Sequence, residues 1–374
     1  MAAMAFIAGF WAAFLALPVA AFADVFTVEH VAVDATAVNA AAARERAMIA
    51  GQQAALERLF ERVTPHDQRA ALPRPTAAEI GDLVRDFAVE DEKTSSVRYI
   101  ASLTVRFRPD DIRALLRTAG VSFAETMSKP IVVVPMLQTG SGVNLWDELN
   151  PWLQAWQSSE WSGLVPFVVP LGDLEDVVAL DATRAQSGDS DGVAALAARY
   201  KAGQVIVTTA EARQQNERAL SVQVTSARFN ASGDHEGTEV QSITAEGATG
   251  EAQWHRAAAV MTEGIEDAWK RTNLIRFDSE RSLIATVPLT ALGDLLDLRK
   301  RLTAVSFLRS YDLVYLARDA AQLRLNFFGD ERQLSIALAQ SDLTLEQDAA
   351  NWVLQRSKVP PRRAAPDPSP QLSR

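Results

Sequence analysis

Acid–base and metal chemistry in proteins falls first to histidine, and this chain has four: His30, His66, His235 and His255. They stand in unrelated stretches, and none shows the H-E-x-x-H or H-x-x-x-H spacing that puts two imidazoles on one helix face. They read as surface or capping residues, so no metal ligand is assigned. Cysteine is absent. That excludes thiolate nucleophiles, zinc–sulfur sites, iron–sulfur clusters and disulfides together. Carboxylates are plentiful, with Asp and Glu totalling 47, but no spacing singles out a general acid–base pair. Neither a G-x-S-x-G elbow nor an S-x-x-K motif occurs. No catalytic residue and no cofactor is assigned.

Two glycine-bearing motifs fall where ligand chemistry is common. Gly140-Ser141-Gly142 follows an apolar run at residues 131–134 and precedes a stretch read as helical, where an α/β sheet would hold phosphate. It lacks a third glycine and a P-loop Lys-Ser pair, so it reads as an ordinary loop. Asp189-Ser190-Asp191-Gly192 resembles the start of a calcium loop, but the twelfth position holds Tyr200 instead of a bidentate Glu. It reads as a helix start capped by Ser190 or Asp191. The remaining candidate is aromatic. Trp146, Trp152, Trp156 and Trp161 lie close in sequence, and Trp152 and Trp156 share a helix face. They form either a sugar-stacking or partner surface, together with the Gly140–Gly142 loop, or the core face of their helix.

The elements that would position these residues follow from periodicity. The chain has 374 residues, 48% hydrophobic and 22% charged, enough for two or three ordinary cores. Residues 1–23 carry no charge and close on Ala21-Phe22-Ala23 before Asp24, which reads as a signal peptide with an A-x-A cleavage site. The alternative is an uncleaved inner-membrane anchor, since about 20 apolar residues span a bilayer. A first α+β module covers 24–127. It has a strand at 26–33, a helix at 39–63 and a strand at 97–107 in which Tyr99, Ala101, Leu103, Val105 and Phe107 alternate with polar residues. The helix carries a stripe of small residues, Ala40, Ala43, Ala47, Ala50, Gly51 and Ala54, and a separate stripe with Leu56, Leu59, Phe60 and Val63. The two stripes predict that it is covered on two sides or bent, with the small stripe admitting a sheet closely.

A second module, 128–274, alternates strands and helices. Strands fall at 131–134, 165–169 and 205–207, with helices at 145–156 and 191–200. Antiparallel strands at 220–225 and 239–245 and a long helix bearing Trp254, Ala258, Met261, Ile265 and Trp269 complete it. This order predicts a partly parallel sheet. A third module, 275–355, reads β-α-β-β-α-β, the ferredoxin-like pattern, with Asp330 and Gln333 forming a capping box before its second helix. Residues 356–374 are Pro- and Arg-rich and read as a disordered tail. The fold class is therefore mixed α+β and α/β, in three small modules.

Several segments together carry a resemblance. They are Ala47-Met48-Ile49-Ala50-Gly51-Gln52-Gln53-Ala54-Ala55-Leu56, the 99–107 strand followed by Arg113-Ala114-Leu115-Leu116, Lys129-Pro130-Ile131-Val132-Val133-Val134-Pro135, and Leu145-Trp146 before Asn150-Pro151-Trp152. In these the chain resembles the bacterial domain-of-unknown-function family two-thousand-and-sixty-six, which implies an exported protein but no activity. The middle module, ending in Ala202-Gly203-Gln204-Val205-Ile206-Val207, is similar to the amino-terminal domain of TolB-type periplasmic proteins. That resemblance implies binding to other envelope proteins.

The formal net charge of −10 argues against nucleic acid and against electrostatic docking on an anionic membrane. The sequence thus predicts a periplasmic binding or scaffolding protein with envelope proteins as partners. Membrane association is expected only if residues 1–23 persist as an anchor. Two alternatives stand beside it: a periplasmic hydrolase whose carboxylates the fold assembles, and a glycan binder working through the tryptophans.

Overall fold

The structure is a computed structural model. It describes residues 24–357 except 148, 160, 217–218, 245–249, 276–279, 304, 306–307 and 349–350. The expected signal segment, the end of the tail and the end of the strand expected to reach residue 245 lie outside the described residues. Those described form a mixed α+β fold with three sheets, two of them mixing parallel and antiparallel strands, and no barrel.

The first sheet is antiparallel. It comprises β1 (Thr27–Thr36), β2 (Val84–Thr94) and β3 (Arg98–Phe107), in the order β1-β3-β2. Helix α1 (Ala40–Val63) begins where the Asn39 side chain accepts a hydrogen bond from the Ala42 amide. It lies across β1 and β3 with Ala43, Ala47, Gly51 and Ala55 buried. The fit leaves no room for a side chain at Gly51, where a Cβ would stand 2.7 Å from Val33 Cγ1. The larger stripe, Leu56 to Val63, continues the same core, so the apolar surface winds round the helix as it advances. A 3₁₀ turn (His66–Ala71) leads to α2 (Ala77–Leu83), started by a capping box between Thr76 and Glu79. After β3 comes α3 (Pro109–Thr118), and Gly120 follows it at φ +70°.

The second sheet is built on β4 (Ile131–Thr139), which forms a hairpin with β5 (Gly142–Asn144). Helix α4 (Pro151–Gln157) is shorter than the expected 145–156 helix because Asn150 caps it and Pro151 opens it. Next come β6 (Phe167–Val168), α5 (Leu174–Ala179), α6 (Ala182–Ser187), α7 (Ser190–Arg199), β7 (Gln204–Asn216), β8 (Ala219–Asn230), β9 (His235–Thr244) and α8 (Glu251–Thr272). Strands β6 and β7 pair parallel with β4, and β8 and β9 extend the sheet antiparallel. Ile131 and Val133 point to a core shared with α4 and α8, while Val132 and Val134 point to one shared with α7. A strand covered on both faces has no polar side, which explains the continuous apolar run.

The third sheet holds β10 (Glu280–Pro288), β11 (Leu308–Leu316), β12 (Ala320–Phe328), β13 (Leu343–Asp348) and β14 (Asn351–Arg356), with α9 (Leu292–Thr303) and α10 (Glu331–Gln340) as its crossings. The order β11-β12-β10-β14-β13 is the ferredoxin-like ladder with one strand inserted. β14 hairpins back from β13 and pairs parallel with β10, in the place the fourth strand would otherwise take. The cores of the first and third sheets join in one apolar cluster. Backbone bonds accompany it, including Ile275 N to Phe123 O at 2.8 Å.

Candidate functional site

The tryptophan-bearing segment divides across the second sheet. Trp152 and Trp156 are buried, and their rings meet edge to face at 5.7 Å. Trp152 also packs on Trp254 at 6.2 Å and Trp156 on Trp161 at 5.6 Å, closing an aromatic core between α4 and α8. The Trp152 indole N–H donates to Thr208 Oγ1 at 3.0 Å. A sugar could reach the Trp152 and Trp156 rings only by replacing this core, so the sugar-stacking reading is corrected: the two rings are packing. Trp146 lies on the opposite face and donates its N–H to Leu180 O at 3.0 Å. Gly140 and Gly142 belong to the β4–β5 hairpin, with Gly142 at φ +133°, and not to a strand-to-helix phosphate loop. The cap of α7 is Asp189, one residue before the expected pair, and its carboxylate accepts from the Gly192 amide and from Arg184.

Among the described residues the buried charges are Glu125, Asp176, Glu266 and Lys270. Glu266, on α8, accepts the amides of Leu164 at 3.1 Å and Val165 at 2.8 Å. Burial pushes its carboxyl above the ordinary range, against the pull of those amides and of Lys270. Gly163 is required beside it, because a Cβ there would lie 2.6 Å from Glu266 Oε2. One turn on, burial lowers Lys270, whose ammonium donates to Glu61 O at 2.7 Å. Arg62 donates to Val25 O, Thr27 O and Ser162 O. These three side chains bind the end of α1, strand β1, the 162–165 segment and α8 together. Glu125 is raised by burial and held by a three-point guanidinium contact from Arg113 at 2.7–3.1 Å. Each buried charge thus faces backbone groups or an opposite charge, the arrangement of structural ties.

The hydrolase reading requires two carboxylates in one hollow. The described surface has a shallow open hollow of about 330 Å³ lined by Pro73, Arg74, Pro75, Glu79, Leu83 and Leu115. Its one carboxylate, Glu79, already accepts from the Thr76 amide and hydroxyl. Among the described residues no three His, Asp or Glu side chains gather as metal ligands would.

A further feature escaped the sequence reading. Helix α5 buries Asp176 completely and leaves Leu174 77% and Val178 68% exposed, with Leu171, just before it, 76% exposed. Asp176 is held by Arg199 Nη1 at 2.5 Å, the Tyr200 hydroxyl at 2.8 Å and the Gly172 amide at 3.0 Å. Asp173, the N-cap, takes a second fork from Arg199 and is held well below the usual carboxylate range by that hydrogen bond. The Trp146 ring lies beside this segment, 3.3 Å from where a Cβ on Gly172 would stand. Leu174 and Val178 lie one turn apart on α5, and the partners of Asp176 decide which way that face points.

Residues 26–125, the first sheet and its helices, match a family described as Domain of unknown function (DUF8605). No curated protein matches the chain. Among solved structures, lipoprotein GNA1162 from Neisseria meningitidis is 14% identical, with 37% of this chain and 97% of that one covered at a TM-score of 0.23. The LpoB C-terminal domain from Salmonella enterica is 15% identical, with 35% and 91% covered at a TM-score of 0.19. At these TM-scores neither likeness carries an argument. No helix among the described residues is long and apolar enough to cross a membrane.

Proposed function

We propose that this protein is a non-catalytic binding frame of the cell envelope, exported to the periplasm and acting through protein–protein contacts. The observation that carries the reading is the use of its buried charges. Glu125, Asp176, Glu266 and Lys270 are each engaged by backbone groups or an opposite charge that fixes one element to another. A catalytic group would instead keep a lone pair or proton aimed into a hollow that substrate can enter. The A-x-A sequence at 21–23 supports export, with the modules 24–127, 128–274 and 275–355 as the mature frame. The sequence resemblances to the exported family two-thousand-and-sixty-six and to TolB-type amino-terminal domains support the same reading.

The test is in-cell cross-linking of the tagged full chain, followed by identification of its neighbours, with the mature N-terminus sequenced in the same preparation. Recovery of specific envelope proteins with a chain starting at Asp24 supports the reading. A cytoplasmic location, or no neighbour above an unrelated control, refutes it.

A further inference from the structure

Amphipathic helices of soluble proteins bury the apolar side and show the polar side to water. α5 departs from this: its aspartate is wholly buried, while Leu174 and Val178 stand mostly exposed beside the exposed Glu175. Burying a carboxylate is costly unless it is paired and hydrogen-bonded. Here Arg199, Tyr200 and the Gly172 amide supply that compensation. The result is an exposed apolar patch of Leu174 and Val178, one turn apart on α5, with Leu171 just before the N-cap. Trp146 steadies the same segment, its N–H bonded to Leu180 O and its ring against Gly172, which sits at φ +72°. An apolar surface held in place by these bonds leaves less loop ordering for a partner's binding to offset.

The surrounding charge indicates the occupant. The exposed carboxylates around the stripe are Asp173, Glu175 and Asp181, and the guanidiniums nearby are Arg199, which serves Asp173 and Glu175 as well as the buried Asp176, and Arg184, which is paired with Asp189. This rim is acidic. It repels anionic lipid headgroups, and across a two-fold axis it would meet a like-charged copy of itself.

We propose that the α5 stripe is the docking surface for a partner protein whose contacting segment carries apolar side chains flanked by Lys or Arg. The inference rests on the binding-frame reading and assigns it a place. The probes are two synthetic helical peptides with identical apolar residues at i, i+3 and i+7, one flanked by Lys and one by Glu. Their binding to the full chain is followed by fluorescence anisotropy.

The Lys peptide is expected to bind about tenfold more tightly than the Glu peptide, with the difference shrinking in high salt. A chain carrying both Leu174→Asp and Val178→Asp is expected to lose that binding with its melting curve unchanged. Leu171→Asp alone should weaken it. The inference is overturned if the Lys peptide fails to bind, or binds wild type and the double variant alike. It is also overturned if the double variant abolishes binding to phosphatidylglycerol vesicles or self-association in sedimentation, which would place a lipid surface or a second copy on the stripe. Cross-linking of wild type and double variant in parallel separates the two readings. Identical neighbours for both sink the docking surface alone, whereas no specific neighbour for wild type sinks the binding frame.

Discussion

Replacing Glu266 by alanine removes the acceptor of two buried amides, those of Leu164 and Val165. A buried N–H left without an acceptor costs about 1–3 kcal/mol, so the pair costs about 4 kcal/mol. Lys270 keeps its bond to Glu61 O but loses its neighbouring negative charge, which adds to the loss. The whole agrees with the roughly 3–5 kcal/mol expected when one member of a buried charged group is deleted. At about 2–4 °C per kcal/mol for a folded unit of this size, melting should fall by about 10 °C. Urea unfolding should show a lower midpoint at unchanged slope.

Gly163→Ala supplies an independent route to the same damage, because its methyl group would occupy the space of the Glu266 carboxylate. In the Glu266→Ala background Gly163→Ala should cost far less than it does alone, since the clash is gone. Additive losses would refute the account, as would a Glu266→Ala cost under about 1 kcal/mol, which would mean that water already serves those amides. The sign of the pH effect follows from burial. The Glu266 carboxyl is raised, so the folded state holds its proton more tightly than the unfolded chain does. Its contribution is present in full below the ordinary carboxylate value and is lost as pH rises through the raised one.

Gly51→Val should cost about 1–3 kcal/mol by overpacking against Val33 and Leu103, read as a lower urea midpoint. Trp156→Ala should cost about 3–5 kcal/mol, because the ring is buried against Trp152, Trp161 and Phe167. Asp34, Asp86 and Asp173 are held below the ordinary carboxylate value by hydrogen bonds from Arg98, Arg106 and Arg199. Their stabilisation is present above that value and lost as pH falls through the lowered ones, so melting temperature should drop on acidification and the drop should weaken in Arg199→Gln. Leu313, Val314, Tyr315 and Leu316 are exposed on β11, an edge of the third sheet. Tyr315→Lys should therefore lower light scattering on heating without shifting the melting midpoint.

Local pattern carries those parts of the fold that local physics decides. The alternation from Tyr99 to Phe107 announces β3 because one face of that strand is buried. The Asp330–Gln333 box announces α10 because the cap is made within one turn. The run at Ile131 announces a strand covered on both sides. Thr76 and Glu79 carry the same local sign for α2, a capping box closed within one turn.

Tertiary structure alone decided the rest. The insertion of β14 beside β10 is a choice among strand edges that no local period encodes. The ties of Glu266 cross 101 and 102 residues, and those of Asp176 to Arg199 and Tyr200 cross 23 and 24. Whether a tryptophan packs or a leucine faces water depends on which distant partner satisfies the polar group on it or beside it. Trp152 is fixed inward partly by Thr208, and Leu174 outward by the burial of Asp176 two residues away.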